Sequence, residues 1–273
     1  MRIANILRKV LRRLVPNNSV EKALGVDICE SGVMQNAIEL WHNMYKNEPP
    51  WRGGKDNVIP LNLPAAISEE FARLILTEFS MEVTGSPMAA FINEQLKDQL
   101  TDLNKFVEMY CAGGAIAVKP FVTNIDENGK PTAIELDFVK AVDFFPCAFN
   151  NKGEITAAVF VEGKKIGDYL YTRLEYHELT GMTYTIINKA FKSEEIYQYN
   201  DDGTYAVRDR FRKEVPLSEV DEWAGLSEEP VIIGNIDKPL FAYIKVPKAN
   251  NIDTDSPLGV VSVLQSYRDN RTS

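Results

Sequence analysis

FVEMYCAGGAIAVKPFV, residues 106–122, contains the change of period that decides the fold. Upstream of the two glycines, Ile92, Leu96, Leu100, Leu103, Val107 and Tyr110 recur at helical spacing. Gly113 and Gly114 stand where a helix ends, because glycine enters the left-handed region that closes a helix without steric cost. Downstream the period falls to two. In TAIELDFV, Ile134, Leu136 and Phe138 alternate with Glu135 and Asp137. In YLYTRLEYHE, Leu170, Leu174 and Tyr176 alternate with Arg173, Glu175 and His177. A helical front half therefore gives way to strands.

Working outward toward the N-terminus, Ser86 and Pro87 are expected to start the long helix that Gly113 ends. Pro64 opens another, in which Ile67, Phe71, Leu74, Ile75 and Phe79 share an apolar face. Met34, Ile38, Trp41 and Tyr45 mark a third, and WRGGKDNVIPLNLP between them reads as an irregular loop. MRIANILRKVLRRLVPNN reads as an amphipathic helix ended by Pro16. Ile3, Ile6, Leu7, Val10, Leu11 and Leu14 form its stripe, opposite Arg2, Arg8, Lys9, Arg12 and Arg13. The interleaved charges exclude a signal peptide, which needs a continuous apolar core. These five bases form a candidate docking arm for an acidic partner or, least favoured, a membrane surface; the alternative is a terminal helix packed on the chain's own acidic domain.

Toward the C-terminus, turn signals punctuate the strands: DENGKP (126–131), NNKGE (150–154), EGKK (162–165), LTGMT (179–183) and NDDGT (200–204). Short glycine-containing turns join antiparallel hairpins. Residues 115–206 are therefore expected to form one antiparallel sheet, with the preceding helices covering one face. EVPLSEVDEWAGLSEEP (214–230) reads as a short helix and loop with Ser218 and Asp221 as a capping box. LFAYIKVP (240–247) is a last strand. In NNIDTDSPLGVVSVLQSYRDNRTS (250–273), Ser256 as N-cap and Pro257 at the first helical position predict a final helix carrying Val260, Val263, Leu264 and Tyr267. The fold class is α+β.

The bulk composition narrows the function. The 273 residues suffice for one large domain or two small ones, and 45% apolar with 25% charged residues is ordinary for a globular chain. No apolar run is long enough to span a bilayer. Cys29, Cys111 and Cys147 are odd in number and widely spaced, which disfavours a disulfide framework or a zinc site and fits a reducing compartment. Net charge is −9, yet residues 1–20 hold five bases and no acid, leaving 25 basic and 39 acidic residues, a net of −14, in the remainder. Such a body repels polyanions on average and disfavours an extensive nucleic-acid-binding surface.

The motifs of catalysis are weak. His177-Glu178 begins like the zinc-binding HExxH, but Gly181 replaces the second histidine, and the segment alternates like a strand instead of a helix. His177 reads as a polar residue facing the edge of a sheet, and the only other histidine, His42, falls on a predicted helix. No G-x-S-x-G or GxxxxGK[ST] occurs, and CAGGA (111–115) runs from helix to strand, the reverse of a phosphate loop. Glu135, Asp137, Glu175 and Glu178 are the carboxylates that a glycosidase-like chemistry would draw on, although solvated strand faces explain them as well. Tyr169, Tyr171, Tyr176, Tyr184, Tyr197 and Tyr199 lack clustered Lys or Arg and read as strand residues. No cofactor is implied, and the residues point toward an assembly module and away from an enzyme.

Four stretches together resemble the N-terminal half of tailed-bacteriophage portal proteins of the kind found in phages and prophages of Gram-positive bacteria. They are FVEMYCAGGAIAVKPFV (106–122), AIELDFVKAVDFFPCAFNNKGEITAAVF (133–160), YTRLEYHELTGMTYTIINKAFKSE (171–194) and NIDTDSPLGVVSVLQSY (251–267). The resemblance covers most of residues 30–270 and rests on segment order and local wording, with no catalytic motif in it. It implies a subunit of a ring, typically of twelve copies, at one vertex of the virion head, assembled in the host cytoplasm. Double-stranded DNA is packaged and ejected through such a ring without specific binding, and the tail connector attaches to it. Scaffold, major capsid, terminase and head–tail connector proteins are the implied partners, with no membrane. Residues 1–20 would then be a basic arm, 21–256 most of the wing, and 257–273 the first turns of a stem helix belonging to a longer protein. The alternatives are another prophage capsid or adaptor protein, and an α+β hydrolase using sheet carboxylates.

Overall fold

The computed structural model describes residues 19–48, 61–128, 131–194, 197–199, 205–207, 213–254 and 259–265. The five basic residues of the arm lie outside them, as do Ser256, Pro257 and Tyr267. The helices are α1 (Ser19–Leu24), α2 (Gly32–Tyr45), α3 (Leu63–Leu76), α4 (Ala89–Gln99) and α5 (Leu103–Gly113). The strands are β1 (Ala115–Ile125), β2 (Pro131–Lys140), β3 (Phe144–Phe149), β4 (Ile155–Ile166), β5 (Tyr169–Thr180), β6 (Thr183–Glu194), β7 (Tyr197–Tyr199), β8 (Tyr205–Val207), β9 (Lys213–Val215), β10 (Val231–Gly234) and β11 (Ala242–Lys245). The class is α+β, as expected.

The chain folds into two compact units. One takes the described residues up to Ser31 and Asp143–Pro239. The other takes Gly32–Val142, Leu240–Asp255 and the segment from Gly259. The single sheet expected over 115–206 is therefore two larger sheets and a small β7–β8 pair. A 3-10 turn at Ala141–Asp143 interrupts the strands between them.

In the helical unit, α2 buries Met34, Ala37, Ile38, Trp41 and Met44, one stripe at helical spacing. This stripe forms a core with Ala112, Ala115, Ala141, Val260 and Leu264. The long helix expected from Ser86 to Gly113 is two, α4 and α5, separated by a 3-10 turn at Leu100–Asp102. The break lets two glutamines of α4 reach the outer edge of the sheet β11-β1-β2. Gln99 accepts from the Leu136 N–H at 2.6 Å and donates to the Ile134 carbonyl at 2.9 Å, while the Ile134 N–H donates to Gln95 at 3.3 Å. Side-chain amides thus occupy an edge that would otherwise present free backbone groups. Phe106 of α5 stacks on Phe138 of β2, with ring centroids 4.0 Å apart.

Gly114 ends α5 in the left-handed region at φ 80°, and its N–H bonds the Tyr110 carbonyl at 2.9 Å. A Cβ there would meet the Val261 and Ser262 backbone at 2.8–2.9 Å, because a late segment of the chain crosses this glycine. Of the helix expected from Pro257, the described residues 259–264 are not helical. Val260, Val261 and Leu264 fill the core instead. The Ser262 hydroxyl accepts from the Leu264 N–H at 2.9 Å and donates to the Ala112 carbonyl at 2.6 Å. The Val263 N–H donates to the Cys111 carbonyl at 3.2 Å, so two open carbonyls at the end of α5 gain partners.

In the other unit, the sheet runs β10-β6-β5-β4-β3, with β9 also on β6. Two-residue turns join the long strands. Ile166 pairs Tyr169 around Gly167 (φ 59°), and Thr180 pairs Thr183 around Gly181 (φ 64°). EGKK, expected as a turn, lies within β4, since Gly167 supplies the positive φ four residues beyond Gly163. Pro146 sits on the edge strand β3, where a missing N–H is tolerated. Its carbonyl accepts from the Cys29 N–H at 2.8 Å. One core comprises Val20, Ile28, Val159, Leu174 and Phe191. Another holds Tyr171, Ala190 and Val215 against Leu217, Val220 and Trp223. The capping box expected at Ser218 and Asp221 is absent: residues 217–223 form two 3-10 turns, without a side-chain cap, whose apolar residues recur every third position. The Leu217 N–H instead donates to Glu228 at 3.0 Å.

Candidate functional site

The period-two pattern of YTRLEYHE places Arg173, Glu175 and His177 on one face of β5 and Tyr176 and Glu178 on the other. β5 is the middle strand of its five-stranded path, so His177 does not face an edge as expected; it is 3% exposed. Its Nε2–H donates to Glu175 at 2.7 Å, because a carboxylate can only accept. Nδ1 then accepts from the Tyr184 hydroxyl at 2.7 Å. Arg173 continues the row, at 3.0 Å from the second Glu175 oxygen, 2.7 Å from Glu162 and 3.0 Å from Asn188. Phe160 and Tyr184 pack edge-on to the imidazole.

This polar ladder crosses β4, β5 and β6. With both ring nitrogens engaged and the ring enclosed, His177 offers no open lone pair to a substrate. The ladder satisfies buried groups and fixes strand register, since a slip of one residue would turn every member to the opposite face. Arg173, Tyr184 and Asn188 are members that the motif search missed. Counting outward from the Gly181 turn pairs Glu175 with Asn188 and His177 with Ile186, so the register could have found them.

The candidate carboxylates divide between the two units, and on β5 Glu175 and Glu178 lie on opposite faces. Glu135 and Asp137 are on β2 of the helical unit, where Asp137 pairs with Lys119 at 3.4 Å. Glu178 hydrogen-bonds Tyr176, whose phenol is pushed up by burial first and then by that carboxylate. Among the described residues no group of three His, Cys, Asp or Glu could hold a metal ion.

His42 lines a cleft of about 270 Å³ with Tyr45, Lys46, Lys140 and the end of α5. Burial, then Lys140 and Lys46, lower its pKa to about 4, so the ring is neutral near pH 7. The Tyr45 hydroxyl donates to Glu108 at 2.8 Å. Cys111, at the rear of the same helix, is pushed up to about 11, chiefly by burial, and is an inert thiol.

The surface of α3 differs from both. Ile67, Phe71, Leu74, Ile75 and Phe79 read as one apolar face, and the helix that carries the first four ends at Leu76. The helix packs on α5 and buries Pro64, Ser68 and Ala72. Small residues at that spacing allow close helix approach, and the Ser68 hydroxyl is satisfied by the Pro64 carbonyl at 3.0 Å. Ile67 packs against the core of α2, while the other large residues are left outside: Phe71 is 46% exposed, Leu74 55%, Ile75 47% and Phe79 47%. Leu61, Leu63, Met81 and Met88 extend the same exposed apolar series. Clustered exposure of this kind marks an interaction surface more often than a solvated one. The chain matches no protein-family model, and no curated protein is significantly similar to it.

Proposed function

We propose that the chain is a structural assembly subunit, contributing much of the wing of a phage portal ring through which double-stranded DNA is packaged and ejected. The observation that carries an assembly role is the outward-facing apolar stripe of α3, which a solitary enzyme domain has no reason to expose. The ring itself rests on the resemblance of the four stretches, from the helix-to-strand passage to residues 251–267. The order of helices, hairpins and late return strand agrees with that reading. The acidic body suits a channel component that lets DNA pass without gripping it. Scaffold, capsid, terminase and connector proteins are its partners under this reading, and the head vertex its place.

Electron microscopy of the product of the complete gene tests the proposal. Rings of about twelve copies with a central channel are expected, as closed cyclic symmetry requires of a head-to-tail contact. Compact monomers at high protein concentration would overturn the ring and leave an adaptor role as the reading to pursue.

A further inference from the structure

The α3 surface has a specific chemistry. Beyond the helix, after the exposed Phe79 in the chain, residues 80–82 and α4 line a groove of about 620 Å³ that includes Met81, Glu82, Glu94, Leu96 and Lys97. The groove wall is held in place: the Val83 N–H donates to Asn93 Oδ1 and Asn93 Nδ2 to the Val83 carbonyl, both at 2.9 Å. Glu69, Glu70, Glu78, Glu82 and Glu94 are exposed around this surface. Against them stand Lys97 and Arg73, and Arg73 is already engaged by Glu70 at 2.6 Å. The surface is an apolar stripe with an acidic rim.

One segment of the same chain is its complement. Residues 1–14 place Ile3, Ile6, Leu7, Val10, Leu11 and Leu14 at helical spacing, beside Arg2, Arg8, Lys9, Arg12 and Arg13, with no acid among the first 20 residues. A basic amphipathic helix laid on an acidic apolar groove is a recurring mode of peptide recognition. Apolar burial supplies the affinity, since exposed ion pairs contribute only about 0–1 kcal/mol each; the charges select orientation and partner.

We propose that residues 1–14 of one copy dock on the α3 face and the adjoining α4 groove of a second copy. The choice of a second copy, over the chain's own arm, rests on the ring reading: a head-to-tail contact of this kind repeats around a closed ring. The arm thus acts as a strap between neighbouring subunits.

Cross-linking of two differently tagged full-length chains tests this. One carries Leu11→Cys and the other Leu74→Cys; a control pair replaces the second with Ile232→Cys, an exposed site on β10. After mild oxidation, disulfides are mapped by mass spectrometry, which separates them from any formed by Cys29, Cys111 or Cys147. A mixed-tag cross-link between positions 11 and 74, at least about tenfold above control and falling as salt screens the rim, is expected. Equal yields in both pairs would overturn the proposal. So would a cross-link that forms only when both cysteines are placed in one chain, which means the arm docks at home. Electron microscopy of the same samples keeps the two readings apart. Rings without the 11–74 cross-link sink the strap alone; the cross-link in non-ring oligomers sinks the portal reading alone.

Discussion

His177 is held by two hydrogen bonds of opposite sense, donating to Glu175 and accepting from Tyr184. Each fixes the other, because the carboxylate sets the tautomer and the tautomer sets the tyrosine's role. Glu175 is the residue on which the row depends, since it serves both His177 and Arg173. Glu175→Ala would leave a buried imidazole N–H without an acceptor and remove one of the three partners of a largely buried guanidinium. A loss of about 3 kcal/mol is expected, as for one partner stripped from a buried charged pair. Thermal unfolding should show the midpoint lowered by roughly 5–10 °C. Glu178→Ala, on the opposite face of the strand, removes one hydrogen bond from Tyr176 and should cost no more than about 1.5 kcal/mol. Similar losses for the two variants would refute the ladder as a unit.

At the scale of elements, the end of α5 joins a helix stop to a chain crossing. Gly114 is needed twice over, for its positive φ and for the backbone of Val261 and Ser262 lying against it. Gly114→Ala should destabilise by at least about 2 kcal/mol, and hydrogen exchange should quicken in residues 259–265 as well as in α5. Intact protection of residues 259–265 in that variant would contradict the crossing. The glycine pair and the period change around it were legible in sequence, because a helix stop and an alternating strand are local events. So were α2, the Pro64 helix start and the β5–β6 hairpin. What escaped was tertiary. In α3, the sequence shows one apolar face but not which face packs, and Pro64, Ser68 and Ala72, four apart, are what α5 accepts. In the last segment, Ser256 and Pro257 satisfy every local rule for a helix start. Burial of Val260 and Val261 beneath Gly114 keeps residues 259–264 out of a helix. The ladder was half visible, as His177 and Glu175, until the turn at Gly181 set the register that adds Asn188 and Tyr184.

For the whole molecule, charge is the property that acts at long range. Positive charge is concentrated in the first 20 residues and the rest carries a net of −14. Nonspecific binding of double-stranded DNA should therefore be no tighter than about 10⁻⁴ M at 0.15 M salt. Replacing the five arm bases with Gln should remove what remains. Fluorescence anisotropy with a labelled duplex measures both, and a micromolar complex that survives 0.2 M salt would contradict the passive-channel reading. Chain order has a further consequence, for biosynthesis. The unit that begins at Gly32 is completed only by β11 and by Val260 and Leu264, while Asp143–Pro239 belongs to the other unit. A ribosome must make roughly a hundred intervening residues, on the order of 5–20 seconds of translation, before the core of the unit that begins at Gly32 can close. Throughout that interval the apolar stripe of α2, Trp41 included, waits for part of its cover. The nascent chain is thus a natural client for a holding chaperone, and the unit that takes α1 and Asp143–Pro239 has all of its described residues synthesised first.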